Sequence, residues 1–128
     1  GQYVNNAGRE DELKSGMILG PFFMFRKSVL EKTKVFDEQL VSGNDYDLAI
    51  RLAYNGKGMY IAHNSGYYLN EGMGLSTRPD SKQALERTVI EMRYGIPVIE
   101  PRLENAAREY DIKNIHIDGE KYPANQLV

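Results

Sequence analysis

The sequence NDYDLAIRLAYNG, spanning Asn44–Gly56, is the stretch that decides how the fold is interpreted. Asn44 follows a glycine and is a good N-cap, which predicts a helix running from Asp45 to about Tyr54. The pair that begins at Asn55 tolerates the left-handed backbone that commonly ends a helix. The stretch therefore predicts one helix with acidic residues in its first turn.

Asp45 is the side chain of this helix with the clearest chemical use. At about 100° per residue, Leu48, Ala49 and Leu52 lie within roughly 60° of Asp45. Asp45 is therefore predicted to lie at the end of an apolar face that packs on a sheet. A carboxylate held beside an interior face suits a general base. The alternative is that Asp45 only supports the start of the helix, as acidic residues in first turns commonly do.

Two other charges of the helix are predicted to point away from that face. Asp47 and Arg51 are spaced i, i+4, the spacing of an ion pair along one helix. Their position on the helical wheel predicts a pair on the surface.

The segment before this helix reads as a strand followed by a short helix. A continuous apolar run covers Met17–Phe25, which is typical of a strand buried on both faces, and Pro21 divides it. The predicted strand is therefore Phe22–Arg26. Ser28 then caps a short helix, Val29–Lys34.

The remainder of the chain is predicted to contain two further strands, two helices and a terminal hairpin. Pro79 lies in the first turn of the first helix, and Gly95 and Pro97 end it. Asp118-Gly119 is a typical two-residue hairpin turn. The predicted elements are strands Gly58–Ala62 and Tyr67–Asn70, helices Pro79–Tyr94 and Val98–Tyr110, and hairpin strands Ile115–Ile117 and Glu120–Tyr122.

Composition excludes several classes of protein. The 128 residues carry a net charge of −2 and no cysteine. Nucleic-acid binding relies on clustered Lys and Arg, and no such surplus exists here. Disulfide scaffolds and thiolate zinc sites are excluded as well. No apolar run reaches the roughly 18–20 residues that cross a bilayer. We therefore expect a cytoplasmic chain without a transmembrane segment; a longer protein that contained it would be cytoplasmic or peripheral to the membrane.

Three motifs occur in a fixed order: FFMFRKSVL from Phe22, FDEQL from Phe36, and the stretch from Asn44 to Gly56. Over about Met17–Ser76 this order and spacing resemble the second half of a family 2 glycosyltransferase. The resemblance implies an α/β fold, or α+β for an isolated fragment. The fold would be the C-terminal half of a GT-A-like mixed sheet with packed helices and a C-terminal helical extension.

The resemblance also implies roles for individual residues. Asp45 matches the carboxylate that deprotonates the acceptor hydroxyl in inverting members, and is the expected catalytic residue. Asn44, at a position where Glu is usual, would contact the acceptor. Asp37 and Glu38 would either contact the acceptor as well or brace their loop. Asp47 and Arg51 match a structural ion pair. The parent would transfer a sugar from a nucleotide-sugar to the hydroxyl of an acceptor glycan.

The nucleotide-binding half is not found in the sequence, and no D-x-D motif precedes the first predicted strand; the only D-x-D string is Asp45-Tyr46-Asp47, which matches the acidic pair of the family instead. We therefore expect a fragment that is inactive alone, without a cofactor of its own. Mn²⁺ or Mg²⁺ would bind mainly to the missing half of the parent. His63 and His116 have no partners that would make a metal site. The expected parts are a loop or tail over 1–16, the acceptor-side half over 17–78, and C-terminal helices with the hairpin over 79–128.

A second interpretation is a non-catalytic α+β interaction module. Its contact surface would be an aromatic cluster formed by Tyr54, Tyr60, Tyr67 and Tyr68. A half-fold also leaves an apolar face uncovered, and exposed apolar faces favour pairing. We therefore expect a homodimer or a swapped assembly.

Overall fold

The computed structural model describes residues 13, 17, 22–58, 66–67, 73–98 and 103–128. Within these residues the chain is a mixed α+β protein, as expected for the isolated chain. The elements are a 3-10 turn Lys27–Val29, α1 (Leu30–Thr33), α2 (Asn44–Asn55), α3 (Gln83–Arg93), α4 (Leu103–Glu109), β1 (Asn114–Ile117), β2 (Glu120–Pro123) and a 3-10 turn Ala124–Gln126.

The main core lies between α2 and α3. Tyr46 and Ile50 of α2 are buried together with Val89 and Ile90 of α3. Ala106 of α4 belongs to the same cluster, and so do Leu13, Leu40 and Ala49. Residues of the expected acceptor-side half (17–78) and of the expected C-terminal part (79–128) therefore share one core.

The terminal hairpin is confirmed by the structure. β1 and β2 pair antiparallel, with Ile115 opposite Tyr122. Asp118 and Gly119 have φ values of 51° and 76°, the positive values that a two-residue turn of type I′ requires. Ile115 and Ile117 pack with Ala124 and Leu127 in a small second core.

The predicted strand Phe22–Arg26 is wrong. These residues are irregular, and most of their side chains are exposed. A strand needs another strand to pair with, and among the described residues only the two hairpin strands are paired, with each other. The following helix is also different, because Ser28 lies inside the 3-10 turn rather than capping Val29–Lys34. Helix α1 ends at Lys34, whose φ is 57°.

Helix α3 begins later than predicted. Pro79 lies in a series of turns, and the helix starts at Gln83, whose N–H donates to Ser81 Oγ at 3.2 Å. The N-cap is Lys82, so Pro79 lies before the helix and not in its first turn. The predicted end is confirmed, since Tyr94 is the C-cap and Gly95 has a φ of 66°.

The other predicted elements are described only in part. Strands Gly58–Ala62 and Tyr67–Asn70 lie outside the described residues, apart from Gly58 and Tyr67, neither of which is in a strand. Of helix Val98–Tyr110, the described portion is helical over Leu103–Glu109. In the described ranges the only strands are the two of the hairpin, so helix α2 packs there on other helices and not on a sheet.

Candidate functional site

Asp45 lies in the first turn of α2 with its side chain exposed. Its Oδ1 accepts the N–H of Tyr46 at 2.7 Å. The N-cap is Gly43, not Asn44, and the half-buried Asn44 is the first helical residue. Burial in α2 begins one residue after Asp45, at Tyr46. Leu48 and Ala49, which share the face of the helix on which Asp45 lies, are buried, so Asp45 lies exposed at the end of a buried apolar face, as predicted. The expected sheet against that face is wrong for the described residues, where the core around Ala49 is formed with other helices.

Asp47 and Arg51 form the predicted ion pair, but the predicted surface position is wrong. The two side chains meet at 2.8 Å and neither is exposed to solvent. All six residues from Tyr46 to Arg51 are buried, so this part of α2 is covered by protein on all sides. The helical wheel failed because it assumes one covered face.

Arg51 ties α2 to the segment that carries α1. Its guanidinium donates to the carbonyl oxygen of Thr33 and, at 2.7 Å, to that of Val35. Carbonyls at the end of a short helix otherwise lack partners. The guanidinium thus satisfies the end of α1 while it balances the Asp47 charge.

Arg93, the last residue of α3, extends this network. It contacts Asp47 and Asp37 at 2.8 Å each, and all three side chains are fully buried. Burial acts to lower the pKa of Arg93, but the two carboxylates outweigh it and raise that pKa. The Tyr94 hydroxyl donates to Asp47 Oδ1 at 2.8 Å, and burial together with that carboxylate raises the pKa of Tyr94. Two buried arginines therefore balance two buried aspartates.

The sequence left two roles open for Asp37, contact with the acceptor or bracing of its own loop. Its contacts are those of a residue that braces the loop. Asp37 is 1% exposed and accepts the N–H groups of Gln39 and His116 at 3.1 Å. Glu38 is exposed, but its Oε1 accepts the N–H of Asp118 at 2.6 Å, in the hairpin turn. Both acidic residues thus connect this loop to the hairpin. The structure does not bring either of them into a described contact with Asn44 or Asp45.

Glu86 is a site residue that the sequence analysis missed. This fully buried carboxylate on α3 accepts the N–H groups of Val41, Ser42 and Gly43 at 2.9, 2.6 and 2.7 Å. Its other partner is the Tyr110 hydroxyl at 3.2 Å. Burial, followed by the nearby Glu86 charge, raises the pKa of Tyr110 to about 12.

The position of Glu86 in α3 could have revealed it. Glu86, Ile90 and Arg93 are spaced i, i+4, i+7, so they share one face of the helix. A glutamate and an arginine on the same face as an apolar residue indicate buried charges with partners elsewhere in the chain. These partners are the loop before α2 and Asp47.

Gly43 allows α2 and α3 to approach closely at this point. A Cβ built on Gly43 would lie 3.0 Å from Ile90 Cδ1 and 3.2 Å from Glu86 Cβ. The absence of a side chain therefore lets the loop reach the Glu86 carboxylate. As a result the backbone in front of Asp45 is anchored on one side by Glu86 and on the other by Asp47.

The described part of the chain forms no metal centre at Asp45. Across the described ranges, no group of three His, Cys, Asp or Glu side chains could hold a metal ion. His116 Nε2 lies 3.1 Å from Asp111 Oδ2, in a pair rather than a ligand set. A cavity of about 470 Å³ is lined by Lys27, Ser28, Leu30 and Glu31, and Asp45 does not line it.

No family model matches the chain, and no significant match to it was found among curated proteins or solved structures. None of the helices in the described residues is long and apolar enough to span a membrane.

Proposed function

We propose that this chain is the acceptor-side part of a glycosyltransferase and that Asp45 is its general base. A separate nucleotide-binding part would hold the nucleotide-sugar. The observation that carries the proposal is the contrast between two aspartates of one turn. Asp45 is open to solvent, whereas Asp47 is buried and bound by two arginines.

The surroundings of Asp45 suit a base that must be accessible yet held in place. Its own backbone segment is anchored by Glu86 on one side and by the Asp47 network on the other. A catalytic group whose support is rigid loses less entropy when it aligns with a substrate. The side chain itself is bonded to the N–H of Tyr46, which limits its rotation.

The proposed reaction follows from this carboxylate. Asp45 takes the proton of an acceptor hydroxyl while that oxygen bonds to the anomeric carbon of the donor sugar. The bond from the anomeric carbon to the diphosphate breaks, and nucleoside diphosphate leaves with its electron pair. A divalent ion bound with the donor would stabilise the charge on the diphosphate. The described residues supply no ligand set for it, so its ligands would belong to the nucleotide-binding part.

Asn44 is the second residue proposed to meet the acceptor. It is half-buried beside Asp45 in the first turn of α2. An amide can both donate to and accept from a sugar hydroxyl. Asp37 has no such role in the proposal, because its carboxylate is buried and bound inside the protein.

The test is Asp45→Asn in a protein that contains this chain together with its nucleotide-binding part. We expect kcat to fall by about 10²–10⁴-fold, the usual contribution of a general base, with donor binding unchanged. Asp80→Asn is the matched control, since it removes the same charge from an exposed aspartate. Full activity of Asp45→Asn would contradict the proposed role. Transfer by the 128-residue chain alone would contradict the expectation that it is inactive by itself.

The interaction-module interpretation also has an observation in its favour. Tyr54 and Tyr67 are both exposed, and Tyr67 completely so. The other tyrosines of the expected cluster, Tyr60 and Tyr68, lie outside the described residues. This second function would be favoured by a protein partner that binds Tyr67→Ala much more weakly but binds Asp45→Asn normally, in a complex that has no transferase activity.

A further inference from the structure

Residues 22–36, here called the aromatic–basic segment, expose apolar side chains at both ends. The sequence predicts a buried strand for the first five of these residues. Phe22 is 54% exposed, Met24 89% and Phe25 40%. Val35 and Phe36, at the other end of the segment, are exposed as well. Five exposed large apolar side chains within fifteen residues of sequence favour an interaction site.

The charge of this segment is opposite in sign to that of the 128 residues taken together. It contains four basic residues and one acidic residue, Glu31, and therefore carries +3 in a chain whose net charge is −2. Arg26, Lys27 and Lys32 are exposed. Lys34 is half-buried, with its Nζ 5.2 Å from the centre of the Tyr122 ring. Three basic side chains of the segment are thus exposed to solvent, as its apolar side chains are.

We propose that the aromatic–basic segment docks this protein on an anionic lipid membrane. The surface of such a bilayer offers phosphate and carboxylate groups to the basic side chains, and its acyl layer lies directly beneath for the apolar ones. A second copy of the chain fits less well, because it would place one +3 segment against another. The proposal concerns a surface contact and does not depend on the proposed transferase activity.

The attachment of the segment to the rest of the protein suits this role. Arg51 binds the carbonyl oxygens of Thr33 and Val35, so the far end of the segment is fixed to α2 from inside. Docking therefore needs no rearrangement of the core. The exposed side chains can enter the lipid surface while the buried network stays intact.

Vesicle co-sedimentation of the 128-residue chain tests the proposal. We expect binding to vesicles of phosphatidylcholine and phosphatidylserine, weakening as salt is added, and much weaker binding to phosphatidylcholine alone. Arg26→Gln/Lys27→Gln should lower the affinity about fivefold for each charge removed. Met24→Ser/Phe25→Ser should lower it about tenfold or more, because the apolar area can no longer be buried in lipid.

Matched controls and contrary results are equally specific. Arg78→Gln/Lys82→Gln removes the same charge from exposed residues outside the segment, and Leu75→Ser removes an exposed apolar side chain there; both should bind vesicles normally. The thermal midpoints of all variants show whether they are folded. Absence of vesicle binding, equal binding to neutral vesicles, or binding unchanged in Arg26→Gln/Lys27→Gln would overturn the proposal. So would a dimer that becomes a monomer in Met24→Ser/Phe25→Ser without any change in vesicle binding.

Discussion

The Arg93 guanidinium lies 2.8 Å from the Asp37 carboxylate, and both side chains are fully buried. The same guanidinium contacts Asp47 at 2.8 Å. One arginine at the end of α3 therefore holds both the loop that carries Asp37 and the helix that begins beside Asp45. The position of the candidate base depends on a charge far from it in the sequence.

Arg93→Leu should destabilise the protein strongly. The substitution leaves two buried carboxylates with only Arg51 to balance them, and we expect the free energy of unfolding to fall by about 3–5 kcal/mol. Urea denaturation measures this. Arg78→Leu is the control, because Arg78 pairs with Asp80 on the surface, and it should change stability by less than about 1 kcal/mol. Losses of the same size in both variants would show that the buried network adds nothing.

Glu86→Gln should loosen the loop in front of α2. One carboxylate oxygen is replaced by an NH₂ group, which cannot accept the N–H bonds now made to Glu86. We expect a loss of at least about 2 kcal/mol and faster hydrogen exchange at the amides of Ser42 and Gly43. Glu109→Gln, which breaks the exposed pair with Lys82, is the matched control and should be nearly neutral. Unchanged exchange at both amides would contradict the anchoring role.

Asp45→Asn and Asp47→Asn should separate chemistry from folding. Asp45 is exposed, so the first variant loses only its interaction with the helix dipole, less than about 1 kcal/mol. Asp47→Asn unbalances two buried guanidinium groups and should cost several times more, roughly 3–5 kcal/mol. Thermal denaturation of both variants checks this order. If Asp45→Asn were as unstable as Asp47→Asn, a loss of transferase activity in it would not report on a base.

Gly43→Ala should be harmful where Gly56→Ala is tolerated. The new methyl group at residue 43 would press on Ile90 and Glu86, and overpacking of this kind costs about 1–3 kcal/mol. At Gly56 the nearest atom is the Leu52 carbonyl oxygen at 3.5 Å, an ordinary contact. Equal stability of the two variants, measured by urea denaturation, would mean that α2 and α3 do not approach as closely as described.

Asp111 should contribute to stability at neutral pH and lose this contribution in acid. Burial acts to raise its pKa, but hydrogen bonds from His116 and Asn114 outweigh it and lower the pKa to about 2. Lys121 Nζ also lies 3.7 Å away. Because the folded pKa is lower than the unfolded one, the unfolded chain takes up the proton first as pH falls. The stabilisation is therefore complete above about pH 5 and is lost between about pH 4 and pH 2.

Asp111→Asn tests this pH dependence. Its carboxylate is partly exposed, so after allowance for solvent screening we expect the variant to remove about 1 kcal/mol of the acid-dependent loss. Urea denaturation at a series of pH values gives the two curves. Asp80→Asn, at an exposed aspartate, should leave the fall in the free energy of unfolding at acid pH (the acid limb of the curve) unchanged. An acid limb in Asp111→Asn that matches the unsubstituted protein would contradict the assignment.

The local elements were largely readable from the sequence. The helix over Asn44–Asn55, the end of α3 at Gly95 and the hairpin turn at Asp118-Gly119 all follow from backbone preferences of a few neighbouring residues. Such preferences act over one or two turns and do not need the rest of the chain. These features could be predicted because their causes are local.

The placement of the charges was decided only by the tertiary structure. A helical wheel shows which residues share a face of α2, but it cannot show what covers each face. Asp47 and Arg51 became buried because Arg93 and the Thr33 carbonyl complete their bonding, and both of those lie outside the helix. Asp45, two residues earlier in the same turn, remains exposed, and none of the described arginines reaches it. Burying a charge is favourable only when distant groups compensate it, so the sequence determined the helix, and long-range packing determined which of its two aspartates faces solvent.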